Sequence, residues 1–293
     1  MPCRLPDVHR CGAHPTRGQS GPGVKVPVPG CRRKCRTMGA VSIPTEALVS
    51  VSSVADYVRL GVVVLVLAFL AAAVSRVGGL GYGRAQLTAA ARATVQLAVV
   101  GTVIAAVLDS WPLTVAFATL MVVVASVTAG RRVSPQGQRA WAAIPVAVGA
   151  LPVAAALIGS GLVPARPISV VPVTGILVGG AMTATSLAGR RVIEALTGRR
   201  GEVEAALALG FLDRDARLLI GRPEAGLALV PGLDQTRTVG LVTLPGAFVG
   251  MLLGGATPLE AAAVQLVVLV ALLLVAAVAT VLTLELVARG RLA

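Results

Sequence analysis

Long stretches without any charged residue constrain this chain more than any other feature of its sequence. No Asp, Glu, Lys or Arg stands between Asp109 and Arg131, or between Glu260 and Glu285. A helix needs about 20 consecutive apolar residues to cross a hydrocarbon core of roughly 30 Å. Charged residues make up 13% of the chain, against roughly 25% in soluble domains, so too few remain to cover a water-facing surface. The chain is therefore predicted to be an integral membrane protein.

The apolar stretches predict an all-α fold, a polytopic membrane helical bundle with about seven transmembrane helices. Aromatic residues are only 3%, and the bulk is Ala, Val, Leu and Gly, which is typical of closely packed membrane helices. We expect one transmembrane domain over 38–293, with its longest polar loop at 189–237. The predicted spans are Tyr57–Ser75, Arg92–Leu108, Leu113–Ala129, Trp141–Val163, Ile168–Leu187, Thr238–Gly255 and Ala261–Val287.

Basic residues stand in short groups beside the spans, mostly on one predicted side of the membrane. The net charge is +13, but no basic groove with interleaved aromatics is visible, so nucleic acid is not an expected partner. Anionic lipid headgroups are the expected partners of these charges. The positive-inside rule places the N-terminus outside and the C-terminus in the cytoplasm. The arginines on the predicted inner side are Arg76, Arg84, Arg131, Arg132, Arg139, Arg190, Arg191, Arg199, Arg200, Arg214, Arg217, Arg222, Arg289 and Arg291.

Residues 1–37 differ in composition from the rest of the chain. They contain all four cysteines and both histidines but no apolar core of a signal peptide. A metal-binding extension is one interpretation, although no C-x-x-C pair is present. The alternatives are a disordered tail and a translation start at Met38; we favour the late start, because a basic leader opposes export of the N-terminus. The sequence assigns no role to the cysteines, which are Cys3, Cys11, Cys31 and Cys35.

The long polar loop carries a spaced motif, in which a Glu-Ala-Ala triplet is followed after three residues by Gly210. The pattern resembles the EAA–Gly–Ile-x-Leu-Pro loop of ATP-binding-cassette (ABC) permeases, except that Arg222 stands where the Leu before the final Pro is expected. Gly210 would permit an elbow between two short helices, with Asp213 as the cap of the second helix. The resemblance implies docking on an ATPase; a solvated amphipathic loop is the alternative. The motif residues are Glu204, Ala205, Ala206, Gly210, Ile220 and Pro223.

A longer match follows this loop. Residues 229–246 read LVPGLDQTRTVGLVTLPG and residues 254–262 read GGATPLEAA. Together with Arg92 and Gln96 in the second span, they resemble the FetB-type permeases, the membrane subunits of a bacterial iron-export ABC transporter with plant relatives linked to aluminium tolerance. Within the fifth span this chain has Gly-Gly-Ala-Met at 179–182, where the family tends to have Gly-Asn-Ala-Met. That difference leaves the identity of the substrate open.

The resemblance implies the permease subunit of an ABC transporter, a homodimer docked on a separate ABC ATPase in the cytoplasmic (inner) membrane. It implies export of iron or a related metal ion, with ATP and Mg on the partner subunit and no cofactor bound by this chain. The chain has no G-x-x-x-x-G-K-[ST] motif and no catalytic triad, so it is not expected to be an enzyme. The alternatives are an ABC permease for an organic or sugar-nucleotide substrate and a stand-alone carrier or channel.

Polar residues near and within the spans are candidates for the transport pathway or gate. Asp234 and Arg237 stand three residues apart at a membrane boundary, a spacing that makes side chains neighbours on a helix. They would form a gate, or an interfacial pair that sets the register of the helix. Met182 offers a soft sulfur atom, but Met in apolar helices usually fills gaps, and no metal site is assigned. The pathway candidates are Arg92, Gln96, Met182, Asp234, Gln235, Thr236 and Arg237.

Glycines recur every four residues in two of the predicted spans, which places each set on one helix face. Small residues at this spacing allow helices to pack closely. A smooth glycine face also suits an interface that slides between two conformations. The predicted packing residues are Gly175, Gly179, Gly246, Gly250 and Gly254.

Overall fold

The computed structural model describes residues 53–134 and 138–292, which belong to one compact unit, Ile43–Ala293. The extension at 1–37, with its cysteines, lies outside the described residues. Short 3₁₀ turns at Arg139–Ala142 and Leu227–Leu229 join some of the helices. The α-helices in this part of the chain are α1 (Val54–Val77), α2 (Gly83–Asp109), α3 (Trp111–Val133), α4 (Ala143–Gly159), α5 (Pro167–Gly198), α6 (Arg200–Ala208), α7 (Asp213–Gly226), α8 (Val230–Thr238), α9 (Gly246–Leu253) and α10 (Pro258–Ala288).

Six helices among the described residues are long and apolar enough to cross a membrane: α1, α2, α3, α4 together with the 3₁₀ turn before it (Arg139–Gly159), α5 and α10. Local chemistry sets where two of them begin. Ser53 and Asp56 form a capping box at the start of α1, and Thr257 and Glu260 form another at the start of α10. Each box satisfies backbone N–H groups that a helix leaves without partners. The described residues contain no β-strand, and the predicted polytopic α-helical membrane bundle is confirmed.

The predicted span Thr238–Gly255 is wrong as a continuous helix. Helix α8 ends at Thr238, and α9 is eight residues long, about 12 Å against a core of roughly 30 Å. Gly240 interrupts the helix with a φ of +82°, and its N–H donates to the carbonyl of Thr243 at 2.9 Å. Pro245 then precedes α9 in an extended conformation. Local turn chemistry therefore overrides the apolar pattern that predicted one helix here.

The short helices α7 and α8 lie alongside α10, with α7 beside its C-terminal third and α8 beside its middle. A Cβ placed on Gly221 of α7 would lie 3.0 Å from Leu284, and one on Gly232 of α8 would lie 3.7 Å from Leu273. Leu284 and Leu273 are eleven residues apart, which corresponds to a rise of roughly 16 Å along the helix. The segment from α7 to α8 therefore runs along α10 for a distance of about half the thickness of a hydrocarbon core.

The core lies among α3, α4, α5 and α10, with small residues at the closest approaches. A Cβ on Gly189 of α5 would meet both methyl groups of Val133 on α3 at 2.6 Å. A Cβ on Gly149 of α4 would lie 3.4 Å from Ala279 on α10. Helices α1 and α2 pack on each other at one side of this core and expose most of their apolar side chains, as helices facing lipid do.

Candidate coupling elbow and pathway residues

Helices α6 and α7 meet at a sharp elbow centred on Gly210. Gly210 has a φ of +91°, and a Cβ there would meet nothing within 4 Å. Its N–H donates to the carbonyl of Leu207 at 2.9 Å, and the N–H of Phe211 donates to Ala206 at 3.2 Å. This pair of hydrogen bonds is a Schellman motif, which ends a helix with one residue of left-handed conformation. The predicted elbow between two short helices is confirmed, and glycine is required by backbone conformation rather than by space.

Asp213 does not cap α7, contrary to the prediction. The N-cap position is occupied by Leu212, which offers no side-chain acceptor. Asp213 is the first helical residue, and its carboxylate pairs with Arg217 one turn later, at 3.0 Å. An acidic residue in the first turn still interacts favourably with the positive end of the helix dipole.

The tip of the elbow is apolar and exposed. Leu209 is 80% exposed and Leu212 is 72% exposed, with Phe211 between them. Two exposed charged pairs lie at the other end of α6: Arg199, just before the helix, with Glu202 at 2.6 Å, and Arg200 with Glu204 at 3.0 Å. The hydrogen bond and the charge of Arg199 lower the pKa of Glu202, so the pair is charged at neutral pH. An exposed apolar tip on a short polar helix pair is typical of a protein docking surface.

The opposite side of the elbow is anchored in the bundle. Ala206, Ala216, Leu218 and Ile220 are buried. A Cβ on Gly221 would touch both Leu284 of α10 and Val192 of α5 at 3.0 Å, so α7 sits directly on these two helices. Pro223, the last residue of the motif, lies inside α7 and is exposed. A cleft of about 460 Å³ remains between α6 and the ends of α5 and α10.

An ion pair that sequence reasoning missed joins α7 to α10. The guanidinium of Arg214 donates to both carboxylate oxygens of Glu285, at 2.7 and 2.8 Å. Arg289 donates to the same carboxylate at 2.6 Å. The hydrogen bond to Glu285 raises the pKa of Arg214. These residues are 71 positions apart in sequence, so no local pattern indicates the pair.

The predicted pathway residues do not form one cluster within a single chain. Asp234 and Arg237 are neighbours on α8, 3.6 Å apart and both exposed, so the predicted pairing geometry is confirmed. Arg92 and Gln96 are exposed on α2, whose main neighbours are α1 and α3. Met182 is half-buried against the core, as a gap-filling side chain would be. Gln235 is exposed, and Thr236 donates to the carbonyl of Gly232 on its own helix.

The described residues contain no group of three or more His, Cys, Asp or Glu side chains that could hold a metal ion. The central helices do bury polar oxygen atoms that have no hydrogen-bond partner in the structure. These atoms are Thr185 Oγ1 on α5, and Gln265 Oε1 and Thr280 Oγ1 on α10. Gln265 and Thr280 give no signal in the sequence, because each stands in a largely apolar stretch. Neutral oxygen atoms suit weak contacts with a hard cation rather than a tight site.

The glycine face of α5 is displaced by one residue from the predicted one. A Cβ on Gly175 would lie 2.6 Å from Cε of Met121 on α3, as close packing requires. A Cβ on Gly179 would meet nothing within 4 Å, while one on Gly180 would lie 2.6 Å from Leu272 on α10. Helices α3 and α10 therefore pack against two adjacent faces of α5. A repeat of glycine every four residues marks only one face and does not indicate the second.

The glycines of α9 have no helix packed on them in the described part of the chain. A Cβ at Gly246 or Gly250 would meet nothing within 4 Å, and at Gly254 the nearest atom is the carbonyl oxygen of Gly250 itself. Just before α9, Leu241 is 92% exposed and Val242 is 78% exposed. Nothing among the described residues therefore packs closely on this face, and the predicted packing of these glycines stays a prediction.

Comparison with known proteins gives one consistent result. A family model described as UPF0014, an uncharacterised protein family, matches residues 58–291. The chain is 38% identical over 206 residues to the UPF0014 membrane protein STAR2 of Oryza sativa, covering 68% of this chain and 71% of the relative. It is 38% identical over 151 residues to the protein ALUMINUM SENSITIVE 3 of Arabidopsis thaliana, covering 51% and 55%.

A bacterial relative carries a functional name. The chain is 33% identical over 138 residues to the probable iron export permease protein FetB of Escherichia coli, covering 47% of this chain and 53% of the relative. No solved structure matches the chain. With the family model covering residues 58–291 and six helices in the described part of the chain able to cross a membrane, this multi-pass membrane protein belongs to the UPF0014 family.

Proposed function

We propose that this chain is the membrane-spanning permease subunit of an ABC transporter that exports iron or a related metal ion, using ATP hydrolysed by a separate subunit. The observation that carries the proposal is the α6–Gly210–α7 elbow, which exposes an apolar tip and is anchored on α5 and α10. The name of the Escherichia coli relative supports the metal substrate. ATP and Mg are held by the partner, since this sequence has no phosphate-binding motif of its own.

The elbow is built to pass motion from a partner to the bundle. A push on the exposed tip reaches Ala206, Leu218 and Ile220, which are buried against the bundle. The Arg214–Glu285 pair then ties any movement of α7 to the C-terminal end of α10. Closely packed helices shift between discrete arrangements rather than deforming continuously. Closure of an ATPase dimer would thereby switch the bundle between two states.

The pathway for the metal is one of low affinity. Asp234 and Arg237 on α8 act as a gate, and Arg92, Gln96 and Met182 contribute from α2 and α5. A transported ion must leave as readily as it enters, so weak ligands serve an exporter better than a tight cage.

A second copy of this chain completes the membrane unit. Irregular backbone is tolerated within the hydrocarbon region only where protein or a water-filled cavity covers it. Residues 239–245 have irregular backbone and expose Leu241 and Val242 in the single chain. A homodimer that packs on the glycine face of α9 would cover this segment. The complex lies in the cytoplasmic membrane with α6 and α7 inside the cell, as the positive-inside rule requires.

ATP-driven uptake of iron into inverted membrane vesicles tests the proposal. Vesicles that carry this chain and its ATPase should accumulate iron only when ATP is supplied. Uptake by the chain alone would show a stand-alone carrier, and ATP-driven uptake of organic solutes instead of iron would show a different substrate class.

Two variants then test the elbow itself. Gly210→Arg should insert normally but lose ATP-driven uptake, because the new side chain strains the left-handed backbone and obstructs docking. Gly201→Arg on α6 adds the same charge where a side chain meets open space, and it should retain more transport. Normal transport by Gly210→Arg would refute the coupling role.

A further inference from the structure

A groove between α3 and the start of α4 combines an apolar wall with two arginines at one end. Its volume is about 460 Å³. Val122, Val123 and Val127 form its wall on α3, and Arg131 and Arg139 stand at its mouth. Ser126 also lines the groove, but its hydroxyl donates to the carbonyl of Val122 at 2.7 Å, so it presents little polar character.

Close backbone contact brings the two arginines to the same place. A Cβ added to Gly130 would lie 2.5 Å from the carbonyl oxygen of Arg139, so the chain before α4 rests directly on α3 at this point. Arg131 and Arg139 are eight positions apart in sequence, and both line the same groove. Arg139 donates to the carbonyl of Ser134 at 3.4 Å, and neither arginine has an ion pair among the described residues.

Nearby side chains place this mouth at a membrane boundary. Trp141 lies just beyond Arg139, its indole N–H donates to Gln138, and its ring stacks on Arg291 at 4.6 Å. Trp at the end of a span is typical of the headgroup level, where one part of the ring contacts lipid and the N–H contacts polar groups. The two arginines therefore lie where phosphate groups of lipids are found.

The length of the groove matches one leaflet. Arg131 and Val122 are nine residues apart on α3, which corresponds to roughly 13–14 Å. One leaflet contributes half of a hydrocarbon core of roughly 30 Å. An acyl chain that starts at the mouth would thus follow the apolar wall to about the midplane.

We propose that this groove binds an anionic phospholipid from the leaflet on the arginine-rich side of the membrane. Arg131 and Arg139 hold its phosphate, and an acyl chain lies along Val123 and Val127. The chemistry selects this occupant: two guanidinium groups repel a metal cation, and an apolar wall in contact with lipid adds nothing for a free phosphate. The bound lipid would pack α3 against α4 and leave the elbow of α6 and α7 free. This proposal does not depend on the transport substrate.

Native mass spectrometry of the purified full chain tests the proposal. The protein is titrated with phosphatidylglycerol or with phosphatidylcholine of identical acyl chains, and the affinity for the first bound lipid is compared. Arg131→Gln with Arg139→Gln should weaken phosphatidylglycerol binding by about thirty-fold, the factor expected for two arginines at an anionic surface. Phosphatidylcholine binding should change little.

Matched variants separate a built site from general attraction. Arg191→Gln with Arg222→Gln removes two exposed arginines outside the groove and should weaken binding less than about threefold. Val127→Trp fills the apolar wall without changing charge and should also weaken phosphatidylglycerol binding. Helix content by circular dichroism and elution volume confirm that each variant is folded.

Several outcomes would overturn the proposal. An equal loss of phosphatidylglycerol affinity in the groove double variant and in the control double variant would show that the lipid is attracted by charge in general rather than by this groove. Full competition by inorganic phosphate would show an anion site with no role for the acyl chain. Unchanged binding in Val127→Trp would remove the apolar wall from the site. Dissociation of a dimer in the groove variants, without any change in lipid binding, would assign the groove to a second copy of the chain.

Discussion

Arg214 on α7 and Glu285 near the end of α10 are joined by two parallel hydrogen bonds, from Nε to Oε1 at 2.7 Å and from Nη2 to Oε2 at 2.8 Å. A bidentate pair of this kind restricts orientation as well as distance. It connects α7, the helix that follows the Gly210 elbow, to α10, a helix long and apolar enough to span a membrane. The pair is therefore a direct polar link between the proposed site of the push and the bundle.

Breaking this pair should weaken coupling without preventing assembly. Arg214→Gln or Glu285→Gln is expected to lower ATP-driven uptake by about fivefold or more, while the ATPase still co-purifies. Reversal of the charges, Arg214→Glu with Glu285→Arg, should restore part of the uptake. Arg59→Gln, which removes an exposed pair with Asp56 on α1, is the control and should transport normally. Normal uptake in both single variants would show that the pair has no coupling role.

The elbow should tolerate no ordinary side chain at its turning point. Gly210→Ala places an L-residue at a φ of +91° and should destabilise the end of α6 by about 1–2 kcal/mol. Gly201→Ala, in the same helix and with open space around it, should stabilise α6 by about 0.5–1 kcal/mol. Hydrogen exchange of the α6 amides measures both effects. Equal protection in the two variants would contradict the strain argument.

Two glycines of α5 should respond in opposite directions to the same substitution. Gly189→Ala brings a methyl group to within 2.6 Å of the methyl groups of Val133 and should destabilise the protein by about 1–3 kcal/mol. Gly179→Ala meets no neighbour and should stabilise by about 0.5–1 kcal/mol. Unfolding in mixed micelles measures both. Val133→Ala should restore part of the stability that Gly189→Ala loses. If it does not, the destabilisation does not come from the contact with Val133.

Labelling from opposite sides of the membrane should establish orientation. In a chain whose four native cysteines are replaced by Ser, Ser160→Cys after α4 should react with an impermeant maleimide on intact cells. Ala208→Cys on α6 should react only after the membrane is permeabilised. Both residues are exposed, so access depends on the side of the membrane rather than on burial. Reaction of Ala208→Cys on intact cells would place the elbow outside and end the docking proposal.

The sequence alone determined the class of protein, most of its spans and the position of the elbow. These features depend on local properties: charge-free stretches as long as a membrane is thick, and a glycine at a fixed distance from a Glu-Ala-Ala triplet. The spacing of Asp234 and Arg237 likewise predicted their pairing, because neighbours on a helix face follow from helix geometry.

Only the tertiary structure decided which helices contact each other and where a predicted helix is interrupted. Whether Gly179 or Gly180 faces a neighbour depends on the rotation of α5 against α3 and α10, which the sequence of one helix does not encode. The Arg214–Glu285 pair joins residues 71 positions apart, and the two-arginine groove forms where the backbone of Arg139 approaches Gly130 too closely for a Cβ at that position. The break before α9 follows from turn chemistry at Gly240 and Pro245, which hydrophobicity cannot report because both residues are compatible with an apolar span.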